Sequence, residues 1–561
     1  MVKKFFYNNK KFVVSSLVLG IILIGGCINY TTIQLPTNVK QTCIVSAVEF
    51  ASWFISGAVT LNGAVKPANS VTFSNIPNCD FFKWSEQMFL WLTSPTPPSY
   101  GGGNGQIFNS PAFYTISPPD VNGDRTFLPN TVGNILNFNV RAAQVGKNKF
   151  PVMIEKVTGK LFEIVPPVIS PNGKQLILNE KGDTVEVERA ILGKDKKPTF
   201  FDKSNQPILG VKPILPKHLI EEVVVQKFIF DKIEILVGTS GNIIDSEQGQ
   251  AGGGQVLMAI NGSLVYFISF VNQVYTFFAT GAKNNDPLIT NPNFFPTTQA
   301  ELNGIISYAA ANGKTIIDPE ALAIELKTSW VEASGLPNNG SDYITMTATI
   351  PTYNTTNPNQ WIPIGQKTVK MAMTGMHVVG STAGHSEMLW ATFEHESNAP
   401  NVSYDYINSS NVTITEPQNT TTGDWLLCWN NPTGLLNDPH MELAGGNIQS
   451  IGTHTISQSN TLRKFPWGIS PSSTSINTAI ISLNNSVRGM LASGDIRTKY
   501  FHAGTGWTIG GASPNSGNQV GSNQVAGSTM ETYQVGSNCF SCHGSNQVGV
   551  SHIYPELKPL F

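Results

Sequence analysis

Apolar positions fall into two periods along this chain. The stretch CDFFKWSEQMFLWLTSP places Phe81, Phe82, Trp84, Met88, Phe89, Trp91 and Leu92 around most of one helix, which predicts a buried aromatic helix over 78–93, capped by Asn78 and ended at Pro95. TTQAELNGIISYAAANG has a Thr cap, helical spacing and a terminal Gly. SINTAIISLNNSVRGMLASG puts Ile476, Ile480, Leu483, Val487 and Met490 on one helical face. Between these helices the period changes to two: YITMTATIPTY, TVKMAMTGMHVVGS, EMLWATFEH and VSYDYINSSNVTITEP read as adjacent antiparallel strands. DPEALAIELKTSWVEA reads as a helix running into a strand.

The pattern predicts an α+β fold, mainly antiparallel β with several helices. It divides into a leader at 1–27, the N-terminal part of a main domain at 28–146, a lysine-rich β insertion at 147–235, the main domain at 236–515 and a C-terminal segment at 516–561. The insertion is marked by Val/Ile runs between Asn-Gly and Lys-Gly-Asp turns, and its interspersed Glu and Asp read as a solvated face. The stretch 249–281 is apolar and aromatic, but Asn, Gln and Gly interrupt it too often for a membrane span.

Composition narrows the class. Charged residues are only 13% against 40% hydrophobic, with 51 Gly, which suits a strand-and-loop-rich exported protein. A net charge of -2 lacks the basic excess of a nucleic-acid binder. At the N-terminus, Lys3, Lys4, Lys10 and Lys11 precede an apolar run from Phe12 to Ile24 and then Gly25-Gly26-Cys27. That order predicts a secretory signal, and the small pair before Cys27 is similar to a bacterial lipobox whose Cys is acylated. Ile28 after Cys27 favours the outer membrane, facing the periplasm, in a Gram-negative cell. Export permits disulfides. With Cys27 and two cysteines of the tail set aside, Cys43, Cys79 and Cys428 remain, and Cys43 with Cys79 is the favoured pair.

The tail carries the strongest chemical signal. NCFSCH places Cys539, Cys542 and His543 in a Cys-x-x-Cys-His pentad, a spacing expected by chance on the order of once in a thousand such chains and known for c-type haem attachment. Two thiols three apart add to the two vinyl groups of one haem, and the adjacent His supplies an axial nitrogen. A thioredoxin-like motif lacks its βαβ setting here. Zinc lacks a second ligand pair, and a local disulfide leaves His543 without a role. Only 18 residues follow His543, too few to build a compact class I cytochrome c, so the haem must dock on upstream structure.

A second iron ligand then has to come from elsewhere. His377 is the first candidate, flanked by Gly375 and Gly380, which leave room for a large planar group. Met530, expected on the same short helix as Cys539, and His395 and His552 are the alternatives; His440, Met441 and His502 are more remote. Five-coordinate iron is a further option, as is a mononuclear metal site of His377, His385, Glu387 and His395.

Together, CDFFKWSEQMFLWLTSP, GSLVYFISFVNQVYTFF, ALAIELKTSWVEA, GMHVVGSTAGHSEMLWATFEH and TMETYQVGSNCFSCH resemble a family of exported bacterial proteins described as cytochrome c family proteins. The resemblance spans most of 75–545 except the lysine-rich stretch. It implies one covalent haem c at Cys539 and Cys542 with His543 axial, and no defined substrate. Two functions follow as expectations. One is a lipid-anchored electron-transfer protein that exchanges electrons with periplasmic or membrane donor and acceptor proteins. The other is a haem-dependent oxidoreductase or peroxidase with an open distal position.

Overall fold

The computed structural model describes residues 30–561 apart from 74–78, 103–104, 119–123, 132, 141–151, 156–160, 166, 193–197, 216–223, 231–232, 242–245, 248–254, 422–423, 430–435, 445, 525–526, 534–537 and 545–546. The leader with Cys27, the cap position Asn78 and the side chain of Cys542 therefore lie outside the described residues.

One large sheet organises the main body. Its path takes Phe113–Ile116 (β1), Phe127–Pro129 (β2), Tyr266–Asn272 (β3), Ile324–Glu332 (β4), Thr345–Asn354 (β5), Gln360–Thr382 (β6), His385–His395 (β7), Tyr500–Thr508 (β8) and Gln519–Gly521 (β9). The spatial order is β2-β1-β3-β4-β6-β7-β8-β9, and β5 pairs with the first half of the 23-residue β6. Every neighbouring pair on this path is antiparallel. The architecture is α+β and mainly antiparallel, and it is not a compact cytochrome fold.

Helices cover both faces. They are Ala47–Trp53 (α1), Cys79–Leu92 (α2), Gln273–Lys283 (α3), Gln299–Ala311 (α4), Thr474–Met490 (α5) and the single turn Cys539–Cys542 (α6). Helix α2 forms where the aromatic run predicts it and buries Phe81, Phe82, Trp84, Met88, Phe89 and Trp91. Its indoles are satisfied: Trp84 donates to the Ser70 hydroxyl at 3.0 Å and Trp91 to the Tyr100 hydroxyl at 3.0 Å. Thr298 and Glu301 form a capping box that starts α4. Cys43 and Cys79 form a disulfide with Cα atoms 5.3 Å apart, joining the start of α2 to the segment before α1.

Two expectations fail locally. DPEALAIELKTSWVEA contributes one 3₁₀ turn, Pro319–Ala321, followed after Leu322 and Ala323 by β4. Asp318 and Leu322, at φ 46° and 58°, break any longer helix, and pairing of β4 with both β3 and β6 overrides the helical preference of Glu-Ala-Leu-Ala. The VSYDYINSSNVTITEP hairpin forms, but as a separate two-stranded ribbon of Tyr404–Ile407 and Thr413–Glu416.

The lysine-rich stretch builds sheets of its own. Val152–Glu155, Leu161–Val165, Val224–Phe230, Ile233–Gly238 and Ser246–Glu247 make a five-stranded sheet, so pairing reaches Glu247. Gly173 and Gly182, both at positive φ, turn a three-stranded meander through Val168–Ile169, Gln175–Leu178 and Thr184–Val187. Ile177, Val187, Phe200, Phe228, Ile235 and Val237 form a small core separate from that of the main body.

Candidate functional site

Strand alternation sorts the histidines before any chemistry does. On β7 the odd-numbered side chains Leu389, Ala391 and Phe393 join the aromatic core under α2, where Phe89 stacks on Phe393 at 4.2 Å. Even-numbered Met388 and Trp390 join a second apolar cluster with α3, α4, Val379 and the C-terminal residues Phe540, Val548 and Val550. His385, Glu387 and His395 thus point to the α2 side, and His377, paired in register with Thr392, points to the side of the tail. The four-residue metal site does not assemble; among the described residues no three His, Cys, Asp or Glu side chains converge on a metal position.

The tail crosses its face in a chain of polar contacts. Buried Glu394 accepts from the Ser528 backbone N–H and hydroxyl and pairs with Arg463, and both members of that ion pair are almost fully buried. Arg463 also donates to the Asn401 side chain and the Ala399 carbonyl. Glu531 takes both its carboxylate oxygens to His377 Nε2, at 2.8 and 2.9 Å. Burial pushes the Glu531 carboxyl upward, but the His377 charge and hydrogen bond, with Lys327 and the Gly527 N–H, outweigh it and hold the group at about 2. Farther along, the Ser551 hydroxyl bonds Glu325 and Tyr275. Burial raises Glu325 to about 7, against the opposing pull of Ser551 and Lys327.

At the motif, Asn538 caps α6 by accepting from the Ser541 N–H at 2.8 Å. Cys539 is half-buried beside Phe540, whose ring faces Trp390 at 6.2 Å. His543 ends the turn. Its Nδ1 lies 2.9 Å from the Val550 carbonyl, which can only accept, so Nδ1 carries the proton and Nε2 is bare in the neutral ring. Burial, then the neighbouring His552, drive the His543 pKa well below its ordinary value despite the Val550 bond; Lys327 and His377 add to the fall. His552 stacks on His543 at 3.8 Å with planes 17° apart, and Trp390 meets the ring at 4.2 Å and 45°.

The candidate second ligands are placed as follows. His377 shares the face of the motif, yet its Nε2 must hold a proton to donate to Glu531, and Nδ1 bonds the Thr392 hydroxyl at 2.8 Å. His395 lies on the opposite face, stacked on Tyr343 at 3.8 Å, with Nε2 bonded to the Asp342 carbonyl and Nδ1 to Ser397. Burial there lowers its pKa to about 3. Met530 is buried in a turn and not on the helix of Cys539. His440 bonds the Ser457 carbonyl, and His502 is buried against Phe393 on the α2 side. His552 alone of the named candidates is in ring contact with His543.

The room expected at the two glycines is already filled. A Cβ at Gly380 would come within 2.8 Å of the Trp84 indole and 2.5 Å of Ile324, and one at Gly375 within 3.0 Å of the Thr529 hydroxyl. These glycines admit a helix and the tail to the sheet, not a cofactor.

Trp390, Val550, Glu531, Glu394 and Arg463 escape the sequence reading. Trp390 carries a usable signal, since it sits two residues from Thr392 on an alternating strand. Glu531, Glu394 and Arg463 meet their partners across long sequence separations, whereas Val550 lies seven residues from His543 and acts through its backbone carbonyl, which no side-chain pattern marks. Comparison with family models, with curated proteins and with solved structures returns no match.

Proposed function

We propose that this chain is an exported c-type haem protein, with one haem c attached through Cys539 and Cys542 and His543 as its axial ligand. The observation that carries the reading is the bond from His543 Nδ1–H to the Val550 carbonyl, which leaves Nε2 without a proton in the neutral ring, as a histidine that would hold a metal requires. Cys539 and His543, within one capped turn, fit the attachment chemistry. When bound, the haem supplies a one-electron iron couple. The Cys43–Cys79 disulfide supports passage into an oxidising compartment, and Cys27 is the proposed lipid anchor. Its work in this reading is electron transfer with periplasmic or membrane partner proteins.

A second reading, a haem-dependent oxidoreductase with an open distal position, is favoured by one observation. His377, a strand histidine on this face, is committed to Glu531 and Thr392, so the pair offers acid–base chemistry in place of a ligand nitrogen. To test attachment, the full chain is produced with c-type maturation machinery and stained for haem on a denaturing gel. Cys539→Ser/Cys542→Ser is expected to abolish the stain; undiminished stain rejects covalent attachment. Carbon monoxide added to the ferrous protein separates the two readings: a spectrum that does not respond indicates electron transfer, and a shifted Soret band indicates the open site.

A further inference from the structure

The segment that follows His543 returns to the histidine. Val550 and His552 both touch its ring, and Trp390 reaches it from β7. Trp390 is itself fixed. Its Nε1–H donates to the Glu387 carbonyl at 3.1 Å, across Met388, a buried residue held at φ 67° inside a strand. The Glu387 side chain is anchored in turn by His385 Nδ1 at 2.7 Å and by the Thr508 hydroxyl at 2.8 Å. A left-handed φ at a non-glycine residue persists only where its surroundings enforce it. Here that conformation accompanies the turn of the indole onto the imidazole.

We propose that Trp390 and His552 are positioning residues that clamp the His543 ring between them, so that Nδ1 stays on the Val550 carbonyl and Nε2 has one fixed direction. In this arrangement His552 is a stacking partner and not an iron ligand, and the short terminal segment is the outer shell of the motif. The proposal rests on the haem reading for its use, but the clamp exists in the haem-free chain and is tested there.

The full chain, made without maturation machinery and labelled with ¹⁵N-histidine in a deuterated background, gives ring nitrogen shifts for His543, assigned by their loss in His543→Gln. The wild type is expected to show one tautomer, with Nδ1 protonated and Nε2 bare. Trp390→Leu and His552→Ala should draw the two shifts toward a common average, and Trp390→Phe and His552→Phe should restore the separation. Unchanged shifts in both Trp390→Leu and His552→Ala overturn the clamp. In haem-loaded protein, quantified as the pyridine haemochrome, His552→Phe should keep the wild-type ferric resonance spectrum and reduction potential, whereas His552→Ala shifts them. Equal disruption by Phe and Ala makes His552 a ligand and overturns its assignment. A wild type that never acquires covalent haem defeats the haem reading and leaves the nitrogen shifts to decide the clamp.

Discussion

The two faces of the central sheet are made by alternate residues of the same strands, yet they are built differently. Toward α2, β6 and β7 present Met376, Val378, Leu389, Ala391 and Phe393 to a continuous aromatic core, and the polar groups caught there close on neighbours of the body: His395 on Ser397 and Asp342, His502 on Thr505. Toward the tail, β4, β6 and β7 present Glu325, Lys327, His377, Thr392 and Glu394, and three of these are completed by residues after 527. The first face gains its stability from area removed from water. The second has an apolar cluster of its own with α3 and α4 and adds ionic and hydrogen-bonded contacts to the tail, so the tail's hold can be weakened without dissolving the core. Chemistry assigned to Cys539 and His543 stands on that second face.

The largest expected effect comes from breaking the buried clamp of the tail. Glu394→Ala leaves the Arg463 guanidinium buried without its carboxylate and removes the acceptor of Ser528. Such a loss costs about 3–5 kcal/mol. Urea unfolding should show that drop, and limited proteolysis should cut first after residue 520; a tail that stays protected would mean that the apolar contacts of Phe540 and Val550 hold it alone.

On the α2 side the odd group is Glu86, buried in the helix and raised to about 8 by burial, with Arg488 pulling partly the other way. Its folded-state pKa lies above the ordinary carboxylate value, so the folded state keeps a proton that the unfolded chain gives up. That contribution is fully present below about pH 4.5 and is lost as pH rises toward 8. Glu86→Gln should therefore match the wild type near pH 4 and exceed it on the order of 3 kcal/mol near pH 7. Equal stabilities at both pH values would remove Glu86 as a titrating liability.

Glu531 reverses the sign on the tail face. Held at about 2 in the folded chain, it stabilises above about pH 4.5 and loses that effect as pH falls toward 2. Glu531→Gln should cost roughly 2–3 kcal/mol at pH 6 and nothing near pH 2. Thermal melts across that window check it. A pH-independent deficit would assign the loss to packing instead of charge.

How much of this contrast could be read in advance depends on the distance over which each contact acts. The aromatic helix and the strands of 345–395 are legible because each writes its own period over ten or more residues. The motif is legible because its chemistry lies in five consecutive positions. Contacts such as Glu394 with Arg463, or His377 with Glu531, join residues tens to hundreds of positions apart, and no local period marks them. Alternation does predict that His377 and His395 cannot share a face once the hairpin between them is set. The reading that grouped them with His385 and Glu387 took nearness in sequence for nearness in space.

Gly380 tests the face that sequence reading mistook for a cofactor slot. It lies on β6 opposite Leu389, and the missing side chain is what lets the Trp84 indole and Ile324 close over the strand. A methyl group at Gly380 would approach Ile324 at 2.5 Å and the indole at 2.8 Å, inside any tolerable contact, although both neighbours are side chains and can shift. Overpacking of this kind costs about 1–3 kcal/mol, so Gly380→Ala should lower the unfolding free energy by that amount and perturb the near-ultraviolet signal of Trp84. Because the strain sits under α2, haem staining of the tail should be unchanged in the same variant. Should Gly380→Ala instead leave stability intact and diminish covalent haem, the glycine would face the cofactor after all, and the division of labour between the two faces would fall with it.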